Sequence, residues 1–202
     1  KIIKTIKNLL QNLLINMNIL FRGLGGAGQR HVRKFKEILG NNSKYYFKQG
    51  NWQPYLINSD FTSDKNIKAI DFYNLENLEE SLSLSSGEKF YSVISTRTCD
   101  LFKEINEIKA ISKRTLIEKP GFNSTEELIS LKSIDHEIYI GLQRRFSPLT
   151  AIYEDLINNS KEEINSISLR VKSNCKLWHP YQFTKDFYAL NSNMGGGVLK
   201  TE

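Results

Sequence analysis

Apolar and polar positions follow one pattern over most of the chain and a different pattern near its end. Between residues 18 and 143, short apolar runs of strand length alternate with stretches whose apolar residues recur every three or four positions, as on a helix face. Strand and helix units that alternate through short links predict a parallel sheet with helices on both faces. From about residue 144 the pattern changes, so we expect a second domain of different architecture there.

The predicted elements of the first domain are short. Strands are predicted at residues 19–21, 45–47, 67–70, 91–95, 115–117 and 137–142, and a loop at residues 50–64. Helical spacing is found in three apolar sets, namely Val32, Phe35, Ile38 and Leu39, then Leu75, Leu78 and Leu82, and finally Leu101, Ile105, Ile108 and Ile111. A capping box at residues 124–127 opens a further predicted helix.

The first predicted strand leads into a glycine-rich turn and then a helix, within the sequence NILFRGLGGAGQRHVRKFKEIL at residues 18–39. This order is the context in which a GxGxxG motif binds a dinucleotide. Gly23 permits the tight turn, Gly25 leaves room for the cofactor pyrophosphate, and Gly28 lets the helix pack closely against the strand. The pyrophosphate is expected on the free N–H groups at the positive end of the helix dipole. The candidate cofactor-binding residues of the motif are Gly23, Gly25, Gly26, Ala27 and Gly28.

The second domain is predicted to begin with a helix. Ser147 suits the N-cap position and Pro148 the first helical position. The apolar face of this helix consists of Leu149, Ile152, Tyr153, Leu156 and Ile157. Further on, Ile167, Leu169 and Val171 alternate with polar residues, which predicts a strand with one wet face, typical of an antiparallel sheet.

Composition and charge disfavour several kinds of partner. The 202 residues include 28 Lys and Arg against 22 Asp and Glu, a net charge of +6, but the basic residues form no block. This distribution disfavours nucleic acid and suits a phosphorylated small molecule. No apolar run is long enough to span a bilayer. Cys99 and Cys175 form no CxxC motif, so the reducing cytoplasm is the expected location.

Residues 1–16 precede Met17 and are interpreted as an N-terminal extension, outside a dinucleotide-binding domain at residues 17–143. The extension is amphipathic. Its apolar residues on one helical face are Ile2, Ile6, Leu9 and Leu13. A helix on a membrane surface is one interpretation. Upstream sequence, or a packing helix outside the functional unit, is the favoured one.

Four segments of the chain stand in a characteristic order. They are GLGGAGQRH at residues 23–31, IEKPGF at 117–122, GLQRRFSPL at 141–149 and GGGVLKTE at 195–202. Together they resemble the Gfo/Idh/MocA family of NAD(P)-dependent sugar and polyol oxidoreductases. The segment WHPYQF at residues 178–183 resembles a branch of that family associated with nucleotide sugars and surface polysaccharides.

The resemblance implies an α/β protein. A Rossmann-type doubly wound parallel sheet is followed by an α/β domain with an open, largely antiparallel sheet, of which residues 144–202 are the beginning. The implied reaction is hydride transfer between NAD(P) and a hydroxyl or carbonyl carbon of a sugar, polyol or nucleotide sugar. Full-length members are expected to form homo-oligomers through the C-terminal sheet. Because the chain ends before the family's acid/base histidine, we expect this fragment alone to be inactive.

Lys119 is the catalytic candidate and also a cofactor contact, since by the family motif it lies near both the nicotinamide and the substrate hydroxyl. Its place after a parallel strand supports this independently, because ligands bind in the crevice at the carboxyl ends of such strands. A lysine there can hydrogen-bond the reacting oxygen or relay a proton. Glu118 is expected to accept a hydrogen bond from the cofactor ribose, and a surface carboxylate is its alternative.

Candidate substrate-binding residues lie in the second domain. Arg144 and Arg145 match the family's arginine pair, and Arg145 is the candidate for a substrate phosphate or carboxylate. A salt bridge at the domain junction is the equal alternative. The other candidate sugar-binding residues are Trp178, His179, Tyr181 and Gly196. Cys175 and His179 do not suffice for a metal site, so no metal is expected, and His31 is expected to be a packing or surface residue.

The chain departs from the family at two cofactor contacts. The turn after the fourth family strand usually carries a proline and a histidine, whereas here only the hydroxyls of Thr96 and Thr98 remain as candidates. The acidic residue expected after the second strand is missing, and Lys48 stands in its region. Because a lysine suits a 2′-phosphate better than a bare ribose, NADP is slightly favoured over NAD.

Other functions compete with this interpretation. The main alternative is a catalytically inactive, truncated relative that at most binds a dinucleotide. A methyltransferase with a glycine-rich turn is disfavoured by the EKP and GGGV segments. A nucleic-acid-binding module is disfavoured because the chain lacks a basic face with interleaved aromatic residues.

Overall fold

The computed structural model describes residues 16–48, 54–60, 62–78, 89–160, 163–168, 170 and 190–194. In chain order its strands and helices are β1 (Asn18–Arg22), α1 (Gly26–Leu39), β2 (Lys44–Phe47), β3 (Tyr55–Ile57), β4 (Ser63–Lys68), α2 (Ala69–Phe72), β5 (Glu76–Asn77), β6 (Phe90–Ile94), α3 (Thr98–Ile108), β7 (Ser112–Glu118), α4 (Thr125–Ser130), β8 (Glu137–Gly141) and α5 (Pro148–Asn159). Single 3₁₀ turns are formed by Gly40–Asn42, Leu131–Ser133, Gln143–Phe146 and Ser192–Met194. Within these ranges, every helix is too short or too polar to cross a membrane.

Six of the described strands form one parallel sheet in the order β5-β2-β1-β6-β7-β8. The chain moves outward from β1 through β2 and β5, and then in the opposite direction through β6, β7 and β8. This is the order of a doubly wound sheet, and the direction reverses between β1 and β6. The predicted Rossmann-type fold is therefore confirmed.

Each face of the sheet has its own hydrophobic core. Ile19 and Phe21 of β1 lie in the core under α1, whereas Leu20 lies in the core under α3. From α3, the side chains that fill this second core are Leu101, Ile105 and Ile108. Burial of each such large apolar side chain contributes about 1.5–3 kcal/mol, so the two cores fix both helices on the sheet.

The predicted face of α1 is correct at Val32, Phe35 and Leu39, which pack on the sheet. Ile38 was expected on the same face but is 40% exposed. It lies six positions after Val32, and at 3.6 residues per turn this places it about 120° around the helix from Val32, at the edge of the packed face.

A second departure is the antiparallel hairpin of β3 and β4, where a loop at residues 50–64 and a strand at 67–70 were predicted. The six residues of β4, SDKNIK, hardly alternate between apolar and polar. The sequence therefore contains no pattern that predicts this strand. The hairpin is held by the buried side chain of Gln29, whose Nε2 donates to the carbonyls of Leu24 and Tyr55 at 2.8 Å. The Gln29 Oε1 accepts from the Ile57 N–H at 2.8 Å, which ties the hairpin to α1.

The helix predicted from Leu75, Leu78 and Leu82 is replaced at its start by β5, which pairs with β2. Leu75 and Leu78 are both buried, but in the cores on opposite faces of the sheet. Leu75 and Leu78 flank this two-residue strand, and Leu78 is the first helical residue after it, so the two leucines do not share one helix face. Leu82 lies outside the described residues.

The region predicted to begin a second domain agrees only in part with its prediction. Ser147 Oγ accepts from the Leu149 N–H at 3.3 Å and caps α5, as expected. All five predicted apolar-face residues of α5 are 47–63% exposed. Residues 163–168 form no strand, and Ile167 is 77% exposed. A lone strand leaves its backbone groups unpaired, which explains why this alternating pattern alone does not produce one; Leu169 and Val171 lie outside the described residues.

Candidate functional site

The carboxyl ends of β1, β6 and β7 meet at one edge of the sheet. The glycine turn follows β1, Ser95 and Thr96 follow β6, and Glu118 and Lys119 end β7. In doubly wound sheets, ligands bind at this edge where the strand order reverses. The topology thus brings the sequence-predicted glycines, the threonine turn and Lys119 to one crevice.

The glycine turn is packed tightly against β6 and against itself. Gly23 has φ 83°, and a Cβ there would lie 2.7 Å from the Ser95 carbonyl oxygen. A Cβ on Gly28 would lie 2.0 Å from the carbonyl oxygen of Gly23. The close approach predicted for Gly28 is therefore made to the turn rather than to the strand. These contacts fix the position of the turn.

Gly25 faces open space instead. A Cβ built on it meets no atom within 4 Å. Gly25 is also the N-cap of α1, with no capping side chain and no acidic residue in the first turn. The first intrahelical bond runs from the Gln29 N–H to the Gly25 carbonyl at 2.9 Å, so the N–H groups of Gly26, Ala27 and Gly28 have no helical partner. The geometry leaves an anion-accepting helix end accessible.

Two hydroxyl groups lie beside this turn. The Oγ of Ser95 and the Oγ1 of Thr96 are buried and have no hydrogen-bond partner in the described part of the chain. Each can donate to a ligand oxygen and accept in return. Sequence reasoning missed Ser95, whose only sequence feature is its place directly after an apolar strand. Thr98, in contrast, is 3% exposed on α3, which favours packing over the predicted cofactor contact.

Glu118 is held by α1. Its Oε1 lies 2.7 Å from His31 Nε2 and 3.5 Å from Arg30 Nη2. Burial raises the pKa of Glu118. The hydrogen bond and charge of His31, the charge of Arg30 and the Lys119 N–H outweigh burial, so the pKa lies below its ordinary 4.5. The carboxylate predicted to meet the cofactor ribose is thus already paired, and His31 has a specific role rather than a general packing one.

Lys119 lies in the turn that follows this anchored carboxylate, and the Lys119–Pro120 peptide is cis. The turn continues with Gly121 at φ 101°, where a Cβ would lie 2.9 Å from the Ile140 Cδ1. Lys119 is half-buried. The turn that carries Lys119 is therefore fixed by Glu118 before it and by contact with β8 after it.

Charged side chains cluster on the face of the sheet that α3 covers, near the ends of β1 and β2. Arg22, 7% exposed, bonds Glu104 and also donates through Nη2 to Glu107 Oε2 at 2.9 Å. Lys48, directly after β2, has its Nζ 3.5 Å from the same Glu107 oxygen. The lysine predicted to meet a 2′-phosphate is therefore part of an ion-pair network.

The predicted substrate residues are placed less completely. Arg145 lies in the 3₁₀ turn after β8, with its side chain exposed. Arg97 Nη1 lies 3.9 Å from Met194 Sδ, which brings the chain just before the GGG segment to the start of α3. Trp178, His179, Tyr181 and Gly196 lie outside the described residues. Among the described residues, no three His, Cys, Asp or Glu side chains cluster as metal ligands.

Comparison with solved structures found several proteins of the same fold. The dehydrogenase WlbA from Thermus thermophilus, solved with NAD and α-ketoglutarate, matches with a TM-score of 0.54 at 18% identity over 72% of this chain and 48% of its own. The UDP-N-acetylglucosamine 3-dehydrogenase GnnA from Acidithiobacillus ferrooxidans has a TM-score of 0.50 at 18% identity, over 70% and 43%. The scyllo-inositol dehydrogenase from Lactobacillus casei has a TM-score of 0.51 at 14% identity, over 72% and 42%.

The chain has the fold of these dehydrogenases. They are of the Gfo/Idh/MocA type, so the resemblance stated from the four sequence segments is confirmed at the level of the fold. The chain spans less than half the length of each of the three. Comparison of the sequence with protein-family profiles and with curated proteins found no match.

Proposed function

We propose that the chain is the dinucleotide-binding portion of a Gfo/Idh/MocA-type oxidoreductase that acts on a sugar, polyol or nucleotide sugar. The observation that carries this proposal is the open space at Gly25, at an uncapped helix end where the strand order reverses. A pyrophosphate matches such a site in charge and in hydrogen-bonding capacity. The WlbA structures contain NAD, one of them together with UDP-GlcNAcA.

In this proposal several described residues of the crevice have binding roles. The N–H groups of Gly26, Ala27 and Gly28 hold the pyrophosphate, and the free hydroxyls of Ser95 and Thr96 meet the nicotinamide ribose. Nicotinamide, when bound, supplies the hydride acceptor or donor. Thr98 and Glu118 are less suited to direct contact, because one is buried and the other is paired.

Lys119 is proposed to act on the reacting oxygen. At the end of β7 its ammonium can donate a hydrogen bond to a carbinol or carbonyl oxygen and stabilise the negative charge that develops there. The ion pair of Glu118 with α1 holds the preceding residue in place, which limits the motion of the lysine. Lys119→Ala is expected to lower turnover by about 10²–10⁴-fold with little change in cofactor affinity.

The finer assignments rest on the resemblance alone. Arg145, Trp178, His179, Tyr181 and Gly196 are proposed to bind the substrate, and residues 144–202 to begin the substrate domain. Oligomers through the C-terminal sheet and a cytoplasmic location are likewise proposed. A catalytically inactive relative that binds a dinucleotide is the second candidate, favoured by the exposed apolar face of α5.

Titration of NADH fluorescence against the chain tests dinucleotide binding. Gly25→Ala is expected to fold normally and to lose binding at least tenfold, because its methyl group occupies the open space beside the helix end. Gly40→Ala is the matched control. Its φ of 66° makes alanine unfavourable by about 1–2 kcal/mol, at the far end of α1.

The result contradicts the proposal if neither NADH nor NADPH binds, or if both glycine variants bind like the unaltered chain. A coupled assay over a panel of sugars, made with a full-length form that contains the whole substrate domain, then separates the two candidates. Binding with turnover that depends on Lys119 supports the oxidoreductase, and binding without turnover supports the inactive relative.

A further inference from the structure

The Lys48 side chain is partly shielded from solvent by α3, the helix on the face of the sheet opposite to α1. The Lys48 backbone N–H donates to the Phe21 carbonyl at 3.4 Å, which places it beside the end of β1 and the glycine turn. Its Nζ lies 3.5 Å from Glu107 Oε2, and the Lys48 side chain is 28% exposed. The residue is thus near the turn but directed to α3.

The end of the second strand is where dinucleotide folds distinguish their cofactors. A carboxylate there hydrogen-bonds the ribose 2′-hydroxyl and repels a phosphate, whereas a basic residue accommodates the 2′-phosphate. This chain has a lysine and lacks the expected acid. However, a phosphate bound to the Lys48 ammonium would lie close to the Glu107 carboxylate, because the two groups are 3.5 Å apart. Like charges at that distance disfavour binding.

We propose that Glu107 is a specificity-determining residue that makes this chain discriminate against 2′-phosphorylated dinucleotides. It acts by pairing with Lys48 and by placing a negative charge beside the position of the 2′-phosphate. In effect α3 supplies the carboxylate that β2 lacks. The inference rests on the proposed dinucleotide binding, and it reverses the slight preference for NADP that the sequence favours.

Arg22 does not replace Lys48 in this role. Its side chain is 7% exposed and is held by both Glu104 and Glu107. Its Nη1 is buried and has no partner in the described residues. A guanidinium enclosed in this way cannot reach a ligand at the surface of the crevice. A purely structural role for Glu107 would be to neutralise Arg22. The two roles are distinguished by measuring the effect of Glu107 on cofactor affinity with and without Lys48.

The experiment measures the affinities of NADH and NADPH for the chain by fluorescence titration at low salt. Glu107→Gln is expected to shift the affinity ratio about tenfold toward NADPH, since a charge-assisted hydrogen bond becomes available to the 2′-phosphate. The shift is expected to shrink as salt is added. Glu107→Gln combined with Lys48→Met is expected to abolish it.

Lys103→Gln is the matched control. Lys103 also faces Glu107, at 3.9 Å, but its side chain is 78% exposed and it belongs to α3 rather than to the end of β2, so its loss is expected to leave the ratio unchanged. Lys48→Met alone, which keeps Glu107, is expected to change the ratio by no more than roughly twofold. This variant tests the inference even if Glu107→Gln does not fold.

The outcomes separate the two proposals. If the unaltered chain binds neither dinucleotide, the proposed function fails, and this inference fails with it. If both dinucleotides bind but Glu107→Gln leaves their ratio unchanged, or shifts it equally without Lys48, only the inference is overturned.

Discussion

The Nε2 of His31 lies 2.7 Å from the Oε1 of Glu118, so the glycine helix is joined directly to the end of β7. The two residues are 87 positions apart in the chain, and in the sheet β6 lies between β7 and β1, the strand that precedes the helix of His31. Both side chains are largely buried, at 21% and 12% exposure. The pair therefore couples the two loops of the crevice that sequence reasoning treats as independent.

His31→Leu is expected to destabilise the chain by about 1–3 kcal/mol, because it leaves the buried Glu118 carboxylate without its nearest donor. Urea denaturation followed by circular dichroism measures the loss. Lys34→Gln on the same helix is the control, since Lys34 is exposed and pairs with exposed Glu37. Equal stability of the two variants would show that the His31 contact is not stabilising.

The same pair predicts a dependence on pH. Because the folded-state pKa of Glu118 lies below its ordinary 4.5, ionised Glu118 stabilises the folded chain above that pH. The contribution is lost as the pH falls through the lowered folded-state pKa. We expect the difference in unfolding free energy between the unaltered chain and Glu118→Gln to be about 1 kcal/mol at neutral pH and to vanish in acid. A difference that grows on acidification would contradict this assignment.

Gly28→Ala is expected to be severely destabilising. Its Cβ would lie 2.0 Å from the backbone oxygen of Gly23, and a backbone atom at the end of a buried strand cannot move aside. The expected loss is about 3 kcal/mol or more. Thermal unfolding of Gly28→Ala is compared with that of Gly25→Ala, whose Cβ meets open space and whose stability should change by less than about 1 kcal/mol. Similar melting temperatures would mean that the turn can relax.

Glu104→Ala removes one of the two carboxylates that hold the buried guanidinium of Arg22. The expected cost is about 3 kcal/mol, because the buried guanidinium then keeps only Glu107, which it shares with Lys48. Adding Arg22→Met should recover much of this loss, since the buried charge is then gone. The double-mutant cycle is measured by urea denaturation. Simple additivity of the two changes would contradict the arrangement.

Gln29→Leu is expected to loosen the hairpin of β3 and β4 on α1, where Arg33 Nη1 still donates to the Ile57 carbonyl. The substitution keeps the volume but leaves the Tyr55 carbonyl and the Ile57 N–H without their side-chain partner. Hydrogen exchange at the Ile57 amide should accelerate at least tenfold, while exchange at Leu20 in β1 changes little. Unchanged protection of Ile57 would show that the hairpin is held by other contacts.

The parallel sheet was predictable because its strands contain short apolar runs, such as residues 19–21 of β1 and 116–117 of β7, that alternate with stretches of helical spacing. The Ser124 capping box also formed as its sequence indicates, with Ser124 Oγ accepting from the Glu127 N–H. The hairpin was not predictable, because β4 is polar and depends on Gln29, a residue distant in the sequence. Strand β5 was missed because Leu75 and Leu78 serve opposite faces of the sheet, which mimics helical spacing.

The candidate site was also predictable only in part. The glycines are local in sequence, and their turn has the expected geometry. The pairing of Glu118 with His31 and of Lys48 with Glu107 joins residues from separate elements, so neither could be deduced from spacing. The Ser95 hydroxyl lacks a hydrogen-bond partner among the described residues because of its surroundings in the fold, and no sequence pattern indicates those surroundings.

Helix α1 has little freedom to diverge in sequence. Gln29 is committed to the hairpin, His31 to β7, and Arg33 to the Ile57 carbonyl and the Tyr73 hydroxyl. Three alternate positions on one helix thus serve three different neighbours, and its opening glycines serve the turn. Neutral drift in this segment is expected at outward positions such as Lys34. Gln29 and Arg33 bond backbone groups, which remain whatever side chain replaces their partners, so a substitution elsewhere cannot compensate for their loss.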